Sequence, residues 1–227
     1  MILLVGGEKG GTGKSCLAQH LAVYFSLQDN ANVILVDCEP KHGTTDWVQR
    51  RQLKPGLPWL NCVQMYGNIR YELKSLEHHY EVVIVDCGAQ DSIALRSALL
   101  VANHALFPLQ PRVRDLATIP QLQELIRSCQ QANPNLNAAC VLNQCFDATS
   151  DAVSAAKAQL LQAKLTVLET TMSYRDAYDS SALQGLTVFE VDAAGAAVAE
   201  ISAIANELKQ LGLEQLQDDT TLMRRSV

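Results

Sequence analysis

Short apolar runs recur along the chain, and segments with helical spacing of apolar residues lie between them. The five clearest runs are residues 2–5, 33–36, 82–85, 105–109 and 138–142. Continuous apolar runs are typical of strands buried on both faces, and strands that alternate with helices indicate a parallel sheet. We therefore predict an α/β fold in which a mostly parallel, twisted sheet carries helices on both faces. A shorter apolar piece, residues 59–63, follows a turn rich in proline and glycine.

The pattern changes near the C-terminal end of the chain. Alanine, leucine and isoleucine dominate residues 193–211, which predicts the last long helix, and Gly212 offers a stop. Residues 214–227 are polar, and we expect a flexible tail there. The predicted domain therefore covers residues 1–213.

The composition is that of a globular protein. Of 227 residues, 48% are hydrophobic and 19% are charged, and no apolar run approaches the roughly 20 residues of a membrane span. No basic region precedes the first run, so we expect no signal peptide. Seven cysteines without a Cys-x-x-Cys pair indicate reduced thiols in a cytosolic protein. The net charge of −6 argues against a surface coated in basic charge but leaves room for a local basic patch.

A glycine-rich loop follows the first apolar run. Residues 8–15 read Glu-Lys-Gly-Gly-Thr-Gly-Lys-Ser and precede a helical pattern that begins at Cys16. Strand, glycine-rich loop and helix, in this order, form the context of a phosphate-binding loop, in which backbone N–H groups and the helix dipole face the phosphates. Lys14 is placed to reach the β- and γ-phosphates, and the Ser15 hydroxyl to bind Mg²⁺. Lys9 adds a second lysine to the loop.

Acidic residues follow two of the predicted strands. Asp37 and Glu39 come after residues 33–36, and Asp86 comes after residues 82–85. Ligands of open α/β sheets bind beyond the carboxyl ends of the strands, and a buried carboxylate beside a phosphate loop has Mg²⁺ as its natural partner. We predict metal and water-positioning roles for these acids. The alternatives are a helix N-cap or turn residue for Asp86, and a turn shaped by Glu39-Pro40.

With these residues placed, the chain resembles ATPases of the ParA and MinD type, most of all the small ParA-like plasmid partition proteins. Residues 9–15 match the deviant Walker A loop, whose extra lysine is its signature, residues 36–47 resemble the switch I motif, and residues 80–86 resemble the Walker B strand. The resemblance covers nearly the whole chain and implies a single P-loop NTPase domain. Its other matching segments are residues 105–111, 141–143, 175–178 and 185–190.

The resemblance implies an ATP-dependent homodimer in which two subunits enclose two ATP molecules. Lys9 would then reach the phosphates of the partner subunit, Lys14 would hold those of its own, Glu39 would position the attacking water, and Asp37 would support the Mg²⁺ shell. The magnesium residues implied are Ser15, Asp37 and Asp86. The nucleotide-binding residues implied are Lys9, Gly10, Gly11, Thr12, Gly13, Lys14, Ser15, Cys16, Asn143, whose side chain would read adenine, and Arg175.

Several residues depart from the family pattern, among them Lys41, which replaces a common glutamine, and Cys87-Gly88, which replaces a small residue and a proline. Glu39 stands where the family usually has aspartate, and its extra methylene moves the carboxylate by about 1.5 Å. Because a displacement of about 1 Å can cost roughly 10²-fold in rate, we expect slow hydrolysis. Cys16 replaces a common threonine and removes one hydroxyl donor to the phosphates.

The resemblance also implies partners. These are nonspecific DNA bound by the ATP dimer, a small adaptor or centromere-binding protein that stimulates hydrolysis, and a plasmid or similar cargo, with the ATP form on the nucleoid. The candidate DNA contacts are Arg112, Arg114 and Arg175, and a cluster of Arg50, Arg51 and Lys54 adds basic charge. The alternative for each arginine is a solvated surface charge.

Other functions of the same loop remain open. A MinD-like membrane anchor is not expected, because the C-terminal residues are polar and acidic. An iron–sulfur carrier would need cysteines such as Cys87 or Cys145 at a dimer axis. A metabolic ligase, or a positioning ATPase that acts on a protein or membrane surface, would use the same nucleotide chemistry.

Overall fold

A computed structural model describes residues 1–88, 92–193 and 195–225. Within these residues, seven strands form one parallel sheet in the order β3-β2-β4-β1-β5-β6-β7. The strands are β1 Ile2–Gly6, β2 Val33–Asp37, β3 Asn61–Gln64, β4 Val82–Cys87, β5 His104–Leu109, β6 Asn137–Leu142 and β7 Thr166–Val167.

The five clearest apolar runs all form strands of this sheet, as predicted. In β1, β2, β4 and β5 every residue is buried, because both faces of the sheet are covered by helices. β3 lies within and just after the shorter apolar piece and forms one edge of the sheet. β7, at the other edge, was missed because two partly exposed residues carry no hydrophobic pattern.

Helices cover both faces of the sheet, and each face has its own apolar core. Leu73, Leu95 and Leu125 pack against one face, whereas Leu17, Trp47 and Ile204 pack against the other. The predicted α/β architecture is therefore confirmed. The helices of the described residues are α1 Lys14–Gln28, α2 Gly43–Gln52, α3 Arg70–Glu77, α4 Ser92–Leu99, α5 Val113–Leu116, α6 Ile119–Ala132, α7 Asp151–Gln162, α8 Asp176–Leu183, α9 Val188–Val191 and α10 Ala196–Arg225.

The predicted stop at Gly212 is wrong, because α10 continues through it to Arg225. A Cβ at Gly212 would lie 3.0 Å from Cε1 and 3.2 Å from Nε2 of His104, at the start of β5. Glycine therefore serves a close approach between the helix and the sheet at this position, and it does not end the helix. Residues 214–225 are helical, and residue 213 does not mark the end of an element.

None of the helices in the described ranges combines the length and the apolar composition that a membrane span requires.

Candidate active site

The predicted site residues meet at the carboxyl edge of the sheet. β1 lies at the centre, between β4 and β5, and the glycine-rich loop leaves from its end. Asp86 of β4 is in register with Asp37 of β2 on one side and with Val5 of β1 on the other. The order of the strands therefore brings the loop and both aspartates to one point.

The loop depends on glycine at its last position. Gly13 has a φ of 86°, and a Cβ there would overlap the side-chain amide of Asn143. α1 begins directly after it, at Lys14. The N–H groups of the first helical turn therefore point into the site, where an anion is stabilised by them and by the helix dipole.

Lys14 lies inside this loop and is buried. Its Nζ donates a hydrogen bond of 2.5 Å to the Lys9 carbonyl oxygen, at the other end of the loop. Burial lowers the pKa of Lys14, and the nearby carboxylates of Asp86 and Glu39 act against that shift. The ammonium is therefore held where a phosphate would gain most from it.

Asp86 is fully buried and has only half of its hydrogen bonding satisfied within the described residues. Oδ2 accepts a hydrogen bond of 2.6 Å from Thr44 Oγ1, whereas Oδ1 has no partner there. Burial raises the pKa of Asp86 to about 6, a shift that the hydrogen bond from Thr44 and the nearby Ser15 hydroxyl oppose and the charge of Asp37 increases. Asp86 lies inside β4, so the helix N-cap is excluded for it.

The oxygen atoms around Asp86 suit Mg²⁺. Its bare Oδ1 and the Ser15 hydroxyl are hard oxygen donors, which this ion prefers. In the described parts of the chain, no three His, Cys, Asp or Glu residues form a complete metal cage. Mg²⁺ is commonly held in this way, by one or two protein groups together with phosphates and water.

Asp37 makes hydrogen bonds to the segment that follows β2, and its implied role in the Mg²⁺ shell stays a prediction. Its Oδ2 accepts hydrogen bonds of 2.8 Å from both the backbone N and the Oγ1 of Thr45, and Oδ1 accepts one of 3.0 Å from Glu39 N. Both oxygens therefore organise the segment between β2 and α2. In this structure Asp37 acts on the site by positioning Glu39 and Thr45.

Glu39 lies at the edge of the site and packs against the segment after β4. A Cβ at Gly88 would overlap the Glu39 carboxylate, so the two residues are in close contact. The Glu39 carbonyl oxygen accepts a hydrogen bond of 3.0 Å from His42 N, which closes a turn at Glu39-Pro40. The turn is therefore present together with a side chain that faces the site.

Lys9 forms an ion pair within its own chain. Its Nζ contacts Oδ1 of Asp115, a carboxylate of α5 that is only 4% exposed. Oδ2 of the same carboxylate accepts a hydrogen bond of 3.1 Å from Gln110 N. Asp115 was missed because the contact joins residues 106 positions apart and no local pattern indicates it.

A cavity of about 120 Å³ lies beside the loop, lined in part by Cys16, Asn143 and Arg175. Nδ2 of Asn143 donates to the Thr12 carbonyl oxygen at 2.7 Å, and its Oδ1 accepts from Gln144 N at 2.7 Å. Its amide therefore holds the loop in this structure, and the contact with adenine that the resemblance implies stays a prediction. Burial raises the pKa of Cys16 to about 12, so this wall carries a neutral thiol.

Arg175 lines the same cavity, and it is held there by Glu200, a residue that the sequence did not indicate. Its Nε and Nη2 donate to Glu200 Oε1 of α10, at 3.1 and 2.7 Å. Glu200 also accepts hydrogen bonds from the hydroxyls of Ser173 and Tyr178, at 2.7 and 2.9 Å. The α10 helix therefore fixes the segment that closes the cavity.

The candidate DNA contacts have different surroundings, since Arg175 pairs with Glu200 and lines the cavity, whereas Arg112 and Arg114 are exposed. Arg112 lies 5.7 Å from the ring centroid of Phe146, which is 75% exposed and stacks on Tyr174. Arg51 is buried and pairs with Glu190 at 2.7 Å, so it must be removed from the predicted basic cluster. Arg114 is exposed and lies in α5.

The cysteines named for an iron–sulfur alternative lie in the core. Cys87 and Cys145 are both buried. Buried side chains cannot present a cluster at a subunit surface, so the structure gives that alternative no support.

Comparisons with known proteins identify the family. A family model described as the CobQ/CobB/MinD/ParA nucleotide binding domain matches residues 3–188. The chain is 29% identical over 210 residues to the maintenance of carboxysome distribution protein A of Halothiobacillus neapolitanus, covering 91% of this chain and 95% of that protein.

Two solved structures have the same fold. Apo McdA from Cyanothece matches with a TM-score of 0.72 and 15% identity, over 92% of this chain and 98% of that chain. A putative plasmid partition protein from Borrelia burgdorferi, bound to AMPPNP, matches with a TM-score of 0.70 and 17% identity, over 94% and 98%. They confirm the predicted fold, and the extent of the family match shows that the chain belongs to the CobQ/CobB/MinD/ParA family of nucleotide-binding domains.

Proposed function

We propose that this protein is a Mg²⁺-dependent ATPase that switches between a monomer and an ATP-bound homodimer. The observation that carries the proposal is the pair of lysines on one phosphate loop. Lys14 lies inside the loop, and Lys9 lies at its rim, paired with Asp115. The side chain of Lys9 points away from Lys14 to Asp115, which fits a role across a subunit interface.

In this mechanism, the residues of the loop bind and orient the triphosphate. Backbone N–H groups of the loop and of the first turn of α1 surround the β-phosphate, and Lys14 moves from the Lys9 carbonyl oxygen to a phosphate oxygen. Ser15 and Asp86 would hold Mg²⁺, Asp86 through water. When bound, the ion neutralises charge that develops on the transferred phosphoryl group.

Glu39 would orient the attacking water. Asp37 fixes the backbone of Glu39, and contact with Gly88 fixes its carboxylate. Glu39 is one methylene longer than the aspartate that is usual in the family, which supports slow hydrolysis. Slow hydrolysis would give the ATP-bound dimer a long lifetime, as a molecular switch requires.

Dimer formation would require Lys9 to leave Asp115. The γ-phosphate of the partner subunit carries more negative charge than one carboxylate and can take its place. Without ATP the ion pair within the chain has no competitor, so the monomer is favoured. The exposed rings of Phe146 and Tyr174 stack on each other and offer apolar area to a second subunit.

We further propose that the ATP dimer binds nonspecific DNA through Arg112, Arg114 and Arg175, and that a small adaptor or centromere-binding protein stimulates hydrolysis. The dimer contains each local basic patch twice. Affinity for DNA phosphates depends on such local positive charge rather than on the net charge of the protein. On DNA of the nucleoid, the cycle would position or segregate a large cargo. The proposed cargo is a plasmid or similar body.

A second candidate cargo is a protein compartment. The relative from Halothiobacillus neapolitanus is named for carboxysome distribution and matches almost the full length of both chains. The nucleotide chemistry is the same for both cargoes, so the difference lies in the adaptor.

The nucleotide test compares wild type with Lys14→Ala, measuring binding and hydrolysis of ATP and GTP with Mg²⁺ or with EDTA. We expect ATP binding and slow, Mg²⁺-dependent hydrolysis that are lost in the variant. Turnover that needs a small acid or amine would instead indicate a metabolic ligase. Lys74→Ala is the matched control, because this exposed lysine of α3 pairs with Glu77.

The DNA test measures binding of duplex DNA with ATP over a range of salt concentrations. The double variant Arg112→Ala/Arg114→Ala should weaken binding and reduce the salt slope by about 1 for each DNA phosphate that an arginine no longer binds. Arg127→Ala removes an exposed arginine elsewhere that pairs with Glu124, and it should change neither quantity. An unchanged salt slope in the double variant would remove these arginines from the DNA surface.

A further inference from the structure

The carbonyl oxygens of the phosphate loop are held from outside by side chains of other loops. The Gly11 carbonyl oxygen accepts two hydrogen bonds, one from Gln110 Nε2 at 3.0 Å and one from Gln144 Nε2 at 3.1 Å. The next carbonyl oxygen, that of Thr12, accepts one from Asn143 Nδ2 at 2.7 Å. Two consecutive peptide groups of the loop are therefore fixed in orientation.

The two glutamines act together. Gln110 follows β5 and Gln144 follows β6, and Gln110 Nε2 also donates to Gln144 Oε1 at 2.7 Å. Gln144 has a φ of 55°, in the left-handed region that residues other than glycine rarely adopt. Its backbone N donates to Asn143 Oδ1, so the unusual conformation belongs to the same network.

The orientation of these peptides determines where their N–H groups point. In a trans peptide the C=O and N–H bonds point in opposite directions. When the Gly11 and Thr12 carbonyl oxygens are held on the outside, the N–H groups of Thr12 and Gly13 are directed to the inside, where phosphate oxygens bind. A loop with three glycines in residues 10–13 would otherwise sample many conformations and lose entropy on binding.

We propose that Gln110 and Gln144 are positioning residues that preset the phosphate loop by clamping the Gly11 carbonyl oxygen. The proposal rests on the proposed nucleotide binding and adds residues outside the loop motif that determine its affinity for phosphates. The same turn after β5 also holds Lys9, because Gln110 N donates to Asp115. The turn therefore contacts the loop at two places, at Lys9 through Asp115 and at the Gly11 carbonyl oxygen through the Gln110 side chain.

The proposal is tested by titrating Mg-ADP, pyrophosphate and adenosine into wild type, Gln110→Ala, Gln144→Ala and the double variant. A clamp on the loop affects ligands that carry phosphates, whereas a general structural defect affects adenosine as well. We expect each single variant to bind Mg-ADP and pyrophosphate about 3- to 10-fold more weakly, and the double variant at least about 10-fold more weakly. Adenosine affinity should stay near wild type in Gln110→Ala, because Gln144 but not Gln110 lines the cavity beside the loop. The melting temperature of the ligand-free protein should stay near wild type in both single variants.

Gln130→Ala is the matched control, because Gln130 Nε2 makes the same kind of bond, at 3.1 Å, to the Leu136 carbonyl oxygen far from the loop. If the double variant does not fold, Gln144→Met carries the test, since it keeps the approximate length of the side chain, removes the donor and adds no charge that would repel phosphate. A double variant that binds Mg-ADP like wild type, or a Gln110→Ala variant that loses adenosine and Mg-ADP equally, would overturn the clamp. A wild-type protein that binds no nucleotide would overturn the proposed function together with the clamp.

Discussion

Asp86 shows how a single residue can be unfavourable for folding and suited to a site. A buried carboxylate with one bare oxygen is costly, and its pKa of about 6 measures that cost against the ordinary value of 3.8. A Mg²⁺ ion in the site would offset the cost, because water bound to the ion could donate a hydrogen bond to the bare oxygen. The sequence could predict this residue, because an acid after four apolar residues is unusual in itself.

We predict that Asp86→Asn stabilises the metal-free protein and abolishes Mg-ATP binding. The carboxyl group of Asp86 binds its proton more tightly in the folded protein than in the unfolded chain. Ionised Asp86 therefore does not destabilise the wild-type fold below pH 4, and its destabilising effect grows between pH 4 and 6 and is complete above pH 6. At pH 8 in EDTA the variant should gain about 1–3 kcal/mol in unfolding free energy by denaturant titration. A variant that is less stable than wild type at pH 8 would contradict this account of Asp86.

Gly88 is predicted to control the position of Glu39. In Gly88→Ala, the added methyl group would displace the Glu39 carboxylate, and a shift of about 1 Å should lower the hydrolysis rate roughly 10²-fold while Mg-ATP binding persists. Single-turnover hydrolysis and nucleotide titration measure the two effects. The control is Gly43→Ala, where a Cβ would meet no atom within 4 Å among the described residues. Equal hydrolysis rates in Gly88→Ala and Gly43→Ala would show that the position of the Glu39 carboxylate does not affect catalysis.

Among the elements, α1 is tied to α9 by one buried histidine. His20 Nδ1 donates to the Cys16 carbonyl oxygen at 2.7 Å, and Nε2 accepts from Val188 N at 3.2 Å. These bonds require a neutral ring, and burial lowers the pKa of His20 to about 4. No local pattern reveals this contact, because its partners lie 168 positions apart.

Acid should therefore weaken the α1–α9 contact. Because the folded pKa lies below the ordinary value of 6.5, the unfolded chain takes up the proton first, and stability falls from pH 6.5 towards pH 4 by up to about 3 kcal/mol. His20→Gln should show a smaller loss over this range in urea titrations at each pH. His78→Gln, at an exposed histidine, should follow wild type. Parallel pH profiles for wild type and His20→Gln would refute the role of His20.

The α2 helix is anchored at its C-terminal end by a buried ion pair. Arg51 pairs with Glu190, which also accepts from Thr187 N and Thr187 Oγ1 at 2.7 and 2.6 Å. Gly185 makes room for this contact, because a Cβ there would lie 2.5 Å from Arg51 N. The C-terminal end of α2 is therefore fixed against residues 185–190.

Loss of one partner of this pair should be strongly destabilising. Glu190→Ala leaves the buried guanidinium unpaired and should cost about 3–5 kcal/mol. Glu124→Ala, which breaks the exposed pair with Arg127, should cost at most about 1 kcal/mol. Arg51→Met combined with Glu190→Gln should recover most of the loss, as measured by denaturant unfolding. A similar loss of unfolding free energy in Glu190→Ala and Glu124→Ala would show that the buried pair contributes no more to stability than the exposed pair.

For the whole molecule, the sequence predicted what depends on local pattern and missed what depends on distant contacts. The five long strands, the phosphate loop and the acids at strand ends could be predicted, since burial on both faces and the loop motif are local. β7, the path of α10 past Gly212, the Lys9–Asp115 pair and the burial of Arg51 could not, because each is decided by packing between distant segments.

The Lys9–Asp115 pair gives the molecule its proposed switch. In one chain the lysine is neutralised by a carboxylate, and in the dimer it would be neutralised by the partner's phosphates. The stability of the dimer then depends on the γ-phosphate, and hydrolysis sets its lifetime.

The most direct test is light scattering of wild type, Lys9→Ala and the control Lys74→Ala with ADP, ATP or a non-hydrolysable ATP analogue. The account predicts monomers with ADP, and a dimer with ATP or the analogue that forms in wild type and in Lys74→Ala but not in Lys9→Ala. A mass that does not change with nucleotide, or a dimer that forms equally well in Lys9→Ala, would contradict it.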